Sequence, residues 1–197
     1  SLLHHIQIGD IYEANFCQEF YVENAEIEPF GLYQKLMQTS PTPFSAYCHF
    51  GSKYLMCASP ERFMNKTGTK IISQPIKGTA KRSPNEEEDA QHKLDLFHSK
   101  KDRTENVMIV DLVRNDLSRT AKRESVKVEE LFGVYSFSNV HQMISTISCE
   151  LDSKHHFTEA IKNAFPMGSM TGAPKIMATE LIDQFEHTKR GLYSGSV

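Results

Sequence analysis

Two residues sixteen positions apart raise the chemical question: Glu61, in Ser59-Pro60-Glu61-Arg62-Phe63, and Lys77, in Pro75-Ile76-Lys77-Gly78-Thr79. Between them, Asn65-Lys66-Thr67-Gly68-Thr69 has the composition of a hairpin turn, and Lys70-Ile71-Ile72-Ser73 that of a returning β-branched strand. A hairpin there presents a carboxylate and an amine from neighbouring strands. An acid beside an amine suits a reaction in which a poor leaving group is protonated while a carbon centre is attacked. Read alone, the same pair is more simply a surface salt bridge, which contributes little.

Two further segments carry candidate groups. At helical spacing Glu105, Ile109, Leu112 and Asp116 share one face, so Glu105 sits on an otherwise inward stripe and needs a cation or hydrogen-bond donors. Its other reading is a residue capping its own helix from the third position. Asp111, Arg114, Asn115 and Asp116 read as structural, forming buried ion pairs that hold the helix to a sheet. The segment Gly168-Ser169-Met170-Thr171-Gly172-Ala173-Pro174-Lys175 is not a phosphate loop, because its lysine follows a proline and no Ser or Thr comes after it. It reads instead as a glycine-rich turn offering exposed N–H groups at a helix start, a receptor for a carboxylate formed by Thr171, Gly172 and Ala173. Lys175 is either a substrate contact or a structural partner.

The elements that position these groups follow from pattern. A strand is expected over 10–21 and an amphipathic helix over 29–37, with strands at 44–50, 54–58 and 70–74. Ser83-Pro84-Asn85-Glu86 reads as a capping box opening a helix to about residue 99. A second helix runs over 102–119, strands return at 126–130 and 138–150, and helices start at Thr158 and at Pro174, the last stopped by Gly191. Strand runs and helices do not alternate singly, so the class is α+β with antiparallel sheets flanked by helices, not a doubly wound parallel sheet. The 197 residues, 39% hydrophobic, suffice for one substantial core or two small ones. A net charge of −3 gives no reason to expect nucleic acid or an anionic membrane as partner. The four cysteines are scattered without Cys-x-x-Cys spacing, which points to bystander thiols in a reducing cytoplasm.

The order and spacing of these segments resemble the chorismate-utilising enzymes: anthranilate synthase large subunits, aminodeoxychorismate synthases, and isochorismate or salicylate synthases. Val140-His141-Gln142-Met143-Ile144-Ser145-Thr146, Gly9-Asp10-Ile11-Tyr12 and Arg190-Gly191-Leu192-Tyr193-Ser194-Gly195 fit the same pattern, so the resemblance covers almost the whole chain. It implies the chorismate-binding fold typical of anthranilate synthase component I. It implies Glu61 and Lys77 as catalytic residues, Glu105 as a ligand of Mg²⁺, and Thr79, Thr171, Gly172, Ala173 and Tyr193 as substrate-binding residues. Tyr193 read without the resemblance is a core tyrosine.

Within the family, anthranilate synthases generally carry alanine where this chain has Lys77, and aminodeoxychorismate synthases commonly carry Pro-Ile-Lys-Gly-Thr. Isochorismate and salicylate synthases place a lysine base where this chain has Glu13. The resemblance therefore implies a cytoplasmic aminodeoxychorismate synthase component I. It would replace the 4-hydroxyl of chorismate with ammonia, towards 4-aminobenzoate and folate, with ammonia free or from a separate glutamine amidotransferase. An anthranilate synthase large subunit is the nearest enzyme alternative, and a non-catalytic ligand-binding relative the alternative of another class. Two departures from the pattern stand out: Gln142 where the family usually has histidine, and Glu13 where amine-transferring members commonly have glutamine. Residues 1–197 read as an internal fragment of a single catalytic domain. The segment from Leu192 to Val197 reads as the start of a strand, and a carboxylate-binding arginine and a second acidic motif for Mg²⁺ are expected beyond it. The fragment alone is expected to be inactive.

Overall fold

A computed structural model describes residues 1–196. Helix α1 (Leu2–Ile8) precedes a two-residue strand, β1 (Glu13–Ala14), and helix α2 (Pro29–Thr39). Five strands follow: β2 (Phe44–Phe50), β3 (Lys53–Ser59), β4 (Arg62–Thr67), β5 (Lys70–Gln74) and β6 (Ile76–Lys81). Helices α3 (Glu86–His98) and α4 (Lys100–Ser118) lead to the long strands β7 (Lys127–Ser136) and β8 (Val140–Glu150). Helix α5 (Phe157–Ala164), a 3₁₀ turn (Gly168–Met170), β9 (Gly172–Ala173) and α6 (Lys175–Phe185) complete the order. The class is α+β with antiparallel sheets, as the patterning predicts.

Strand β8 is the spine. One edge pairs with β7; the other pairs with β5 through its C-terminal half and with β6 through its N-terminal half, and β4 extends the sheet beyond β5. His141 to Cys149 are all buried, polar residues included, and a buried polar group needs a partner to avoid a large desolvation cost. Most have one: Ser145 donates to Asn106 Oδ1 on α4, Ser148 to Glu129 on β7, and Thr146 accepts from Gln74 on β5. Helix α4 lies across this sheet, and Ile71, Val110, Leu117, Ile147, Cys149 and Ala160 close the main core. A smaller core of Ile11, Ala178 and Leu181 holds the α1–β1 region to α6.

The hairpin between β4 and β5 forms as the sequence predicts, with Thr67 opposite Lys70 and Gly68 at a φ of 61° in the turn. Several boundaries differ from expectation; the strand expected over 126–130 runs on to Ser136 as β7. The expected strand over 10–21 is only Glu13–Ala14, preceded by α1; the residues after it meet no long partner strand and run irregularly to α2. Asn85, not Ser83, caps α3, because its side chain reaches the Glu88 N–H while the Ser83 hydroxyl bonds the Glu88 carboxylate. Helix α4 starts at Lys100 under a Ser99 cap, two residues earlier than expected, which puts Glu105 in its second turn and removes the reading of Glu105 as a capping residue. The last helix ends at Phe185, and 191–194 form turns rather than a strand; Val197 lies outside the described residues.

Gly172 is where the chain comes closest to itself. Its φ is +152°, and a Cβ there would lie 2.1 Å from the Glu13 carbonyl oxygen. Only glycine lets β9 lie against β1 in the observed register, Glu13 opposite Ala173 and Ala14 opposite Gly172. Gly172→Ala is expected to push β1 off β9 and cost about 1–3 kcal/mol, as overpacked sites do. Urea unfolding measures it, and an unchanged midpoint would show that the two strands separate at no cost.

Candidate active site

Glu61 sits between β3 and β4, and the hairpin that follows returns the chain so that the Ile76 N–H lies towards its carboxylate. Ser169, in the 3₁₀ turn before β9, donates its hydroxyl to Glu61 Oε1 at 2.5 Å. The carboxyl borders a small cavity of about 20 Å³ lined also by Phe63, Pro75, Val113, Leu117 and Met167. Burial dominates its ionisation and pushes the pKa up to about 7, against the Ser169 hydrogen bond, the positive charge of Lys77 and the Ile76 N–H, which all lower it. A carboxyl half-protonated near neutrality in an apolar recess has the proton inventory of a general acid.

Lys77 falls in an irregular stretch of β6, between Ile76 and Thr79, where the register against β8 shifts. The next residue, Gly78, has a φ of +100°, and a Cβ there would lie 2.9 Å from Asp102 Cβ. Glycine therefore lets the strand press against α4. The Lys77 ammonium hydrogen-bonds Glu13 Oε1 and has Asn15 Oδ1 at 3.4 Å; the Lys77 and Glu13 side chains are only 12% and 15% exposed. Glu13 and Asn15 are two apart on an extended segment and so face the same way. Their second polar atoms, Glu13 Oε2 and Asn15 Nδ2, are buried without a partner.

The segment carrying them is fixed at three points. Tyr12 donates to the Ala173 carbonyl and Asn15 to the Thr171 carbonyl, both at 2.8 Å. Arg190 donates to the Asn15 carbonyl at 2.7 Å and to the Met170 carbonyl at 2.6 Å, while its partner Glu186 accepts the Cys17 N–H. The guanidinium keeps the Glu186 carboxyl below the usual range, and burial pushes the Cys17 thiol up. Arg190 is thus a structural clamp joining β1 to the turn that carries Ser169.

The remaining candidates are placed as follows. The Thr171–Ala173 segment is buried under β1, and the Thr171 N–H is taken by the Gly168 carbonyl. The Thr171 N–H is therefore not exposed, against expectation, and β1 takes the Ala173 and Thr171 carbonyls. Thr79 lines a separate groove of about 310 Å³ with Ser99 and Asp102. Tyr193 is 60% exposed in a turn, so it is not a core residue. Lys175 bonds the buried Asp116 carboxylate and the Ala164 carbonyl, which decides for its structural reading; Asp116 is held up by burial despite that lysine. Asp111 and Arg114 pair with each other on the exposed face of α4, not in the interior. His141 points to the face opposite Gln142, as strand alternation predicts, and bonds Asp89 and Ser136, while Gln142 Oε1 is buried without a partner.

Glu105 is partly buried and faces Lys101 at 3.7 Å. Among the described residues no group of three or more His, Cys, Asp or Glu could hold a metal. One carboxylate beside a lysine does not make a Mg²⁺ site, since that ion calls for several oxygen ligands. Sequence reasoning missed Ser169, Asn15 and the Arg190 clamp. The Glu13-x-Asn15 alternation and the i,i+4 spacing of Glu186 and Arg190 were the available signals.

Compared with known proteins, all of residues 1–197 match the family described as chorismate binding enzyme. The chain belongs to that family. It is 41% identical over 193 residues to "Aminodeoxychorismate synthase component 1" of Escherichia coli, covering 98% of this chain and 42% of that protein. It is 38% identical over 193 residues to "Anthranilate synthase alpha subunit 2, chloroplastic" of rice, covering 98% of this chain and 32% of that protein. Anthranilate synthase component I from Streptococcus pneumoniae superposes with a TM-score of 0.88 at 31% identity, covering 98% of this chain and 42% of the other. The chain thus spans less than half the length of these relatives. No helix among its described residues is long and apolar enough to cross a membrane.

The raised Glu61 pKa has a thermodynamic signature. Between the ordinary carboxyl range and about 7 the folded state binds the proton more tightly than the unfolded state, so stability falls as pH rises through that window. Over the whole window the loss is on the order of 3 kcal/mol. Glu61→Gln should remove this dependence and be the more stable form at pH 8. Urea unfolding of both forms at pH 5 and pH 8 checks it; parallel behaviour would place Glu61 in solvent.

Proposed function

We propose that this chain is catalytic machinery of an aminodeoxychorismate synthase component I, replacing the 4-hydroxyl of chorismate with ammonia. The observation that carries the reading is the pair at the centre of the site: an acid poised near pH 7 beside a buried, hydrogen-bonded lysine. Hydroxide is a poor leaving group, and Glu61 protonates it as the C4–O bond breaks, so that water departs. Lys77 adds at C2 as the ring double bond shifts. Ammonia then attacks C4, the double bond moves back, and the Lys77–carbon bond breaks. Thr79, Thr171, Gly172, Ala173 and Tyr193 are the substrate-binding residues of this reading. Glu105 is one Mg²⁺ ligand in a site completed by groups outside this chain, and none of the steps above is assigned to the metal.

The "component 1" in the names of the bacterial relatives supports a partner that supplies ammonia, and a cytoplasmic setting accompanies the reading. Anthranilate synthases also align along nearly the whole chain, so the choice rests on Lys77. The full-length protein given chorismate, Mg²⁺ and an ammonium salt should form 4-amino-4-deoxychorismate, and Lys77→Ala should lower that rate by about 100-fold or more. Product identification by chromatography and mass spectrometry tests both. Anthranilate as the product, or unchanged turnover in Lys77→Ala, would overturn the assignment.

A further inference from the structure

We propose that a single water in the cavity beside Glu61 links it to Asp116, and that through this link Glu61 regains its proton from solvent. The inference rests on the reading of Glu61 as the proton donor. In that reading Glu61 gives up its proton as the C4–O bond breaks, while the ring stays tied to Lys77 until ammonia arrives. The face of the carboxyl towards the substrate is covered during that interval, so a proton that reaches it then comes from another side. An ionised carboxylate left in an apolar recess carries a desolvation cost, which favours its reprotonation.

The cavity has the size and the lining for this. At about 20 Å³ it accommodates one water, which needs roughly 10–15 Å³ and some two to four polar partners. Its polar lining is Glu61, Asp116, Ser73 and Ser169, set among apolar residues such as Phe63, Val113 and Leu117. Lys77, Glu13 and Asn15 do not line it, so it lies away from the amine. The two hydroxyls are already committed as donors, Ser73 to the Phe63 carbonyl and Ser169 to Glu61 Oε1. The groups left to exchange protons with the water are the two carboxyls.

Asp116 connects this cavity to solvent. It also lines the groove of about 780 Å³ between α4, α5 and α6. Among the described residues only Lys175 donates to its carboxylate, at Oδ2, which leaves Oδ1 for a water. Burial pushes the Asp116 carboxyl up, against the charges of Lys175 and Arg119, and so towards the affinity of Glu61, which itself feels the charge of Lys77. The relay balances. A proton from the groove solvent forms an O–H bond on Asp116. That bond breaks as the cavity water takes the proton, and one of the water's own O–H bonds breaks as Glu61 takes its proton. The water is left unchanged, and Asp116 returns to the carboxylate that Lys175 holds.

The test uses the full-length protein with chorismate and ammonium chloride, in H₂O and in D₂O. Asp116→Asn keeps an acceptor for Lys175 but relays no proton. Its kcat should fall about 10-fold with the chorismate KM within about threefold. The solvent isotope effect on kcat should rise above the wild-type value as proton return becomes rate-limiting, a change that a loosened fold alone does not produce. Val113→Ile adds one methylene at the cavity wall, which excludes the water and leaves both carboxyls in place. It should change kcat and the isotope effect in the same direction, and it decides the matter if the asparagine variant is poorly folded. Wild-type kcat and isotope effect in Val113→Ile would leave Asp116 as a structural partner of Lys175 only. Glu61→Gln is run in parallel: full activity there overturns the donor reading itself, whereas loss there with an unaffected Val113→Ile overturns only the relay.

Discussion

Two carboxylates and an amine held together out of water are unstable company unless their backbones are fixed. The contact of Gly172 with the Glu13 carbonyl does that fixing, and the rest of the site depends on it. Through it β1 lies on β9, Glu13 reaches Lys77, and the 3₁₀ turn before β9 sets Ser169 on Glu61. Arg190 ties the two segments together by their carbonyls, so neither can move without breaking charge-assisted hydrogen bonds. This junction holds residues 13–15 and 169–173 together beside the hairpin that carries residues 61 and 77.

The polar spine of β8 solves a related problem. A central strand with buried Ser, Thr, His and Gln positions is costly unless each finds a partner, and those partners come from different elements: Asn106 on α4, Gln74 on β5, Glu129 on β7 and Asp89 on α3. The same bonds that satisfy the strand therefore fix the helices and sheet edges that frame the site. Asp89 is held well below the usual carboxylate range by Arg82, which also donates to the Phe137 carbonyl and closes that corner. Gln142 Oε1 is the exception, a buried acceptor without a partner.

Much of this was legible in the residues, because it rests on local chemistry. The β4–β5 hairpin follows from Gly68 and a β-branched return, and the bounds of β2, β5 and α2 lie within two residues of expectation. The closeness of Glu61 and Lys77 follows from that hairpin. What was not legible depends on contacts distant in sequence. Residues 10–21 read as a long strand because their composition allows one, yet β1 ends after Ala14, where its short partner β9 ends. The Thr171 N–H read as exposed because nothing in the pattern shows that the Gly168 carbonyl takes it. Glu13 read only as a departure from a pattern; its pairing with Lys77 spans 64 positions and needs the fold to be seen.

The central claim is that Glu61 is a buried acid coupled to the Lys77 charge. Carbon-detected NMR titration of the protein carrying ¹³C-labelled glutamate side chains, with Glu61→Gln to assign the signal, measures it directly. The account predicts a Glu61 midpoint near 7 that moves higher in Lys77→Ala, where the lowering charge is gone. A midpoint in the ordinary carboxylate range, or one indifferent to Lys77, would contradict it.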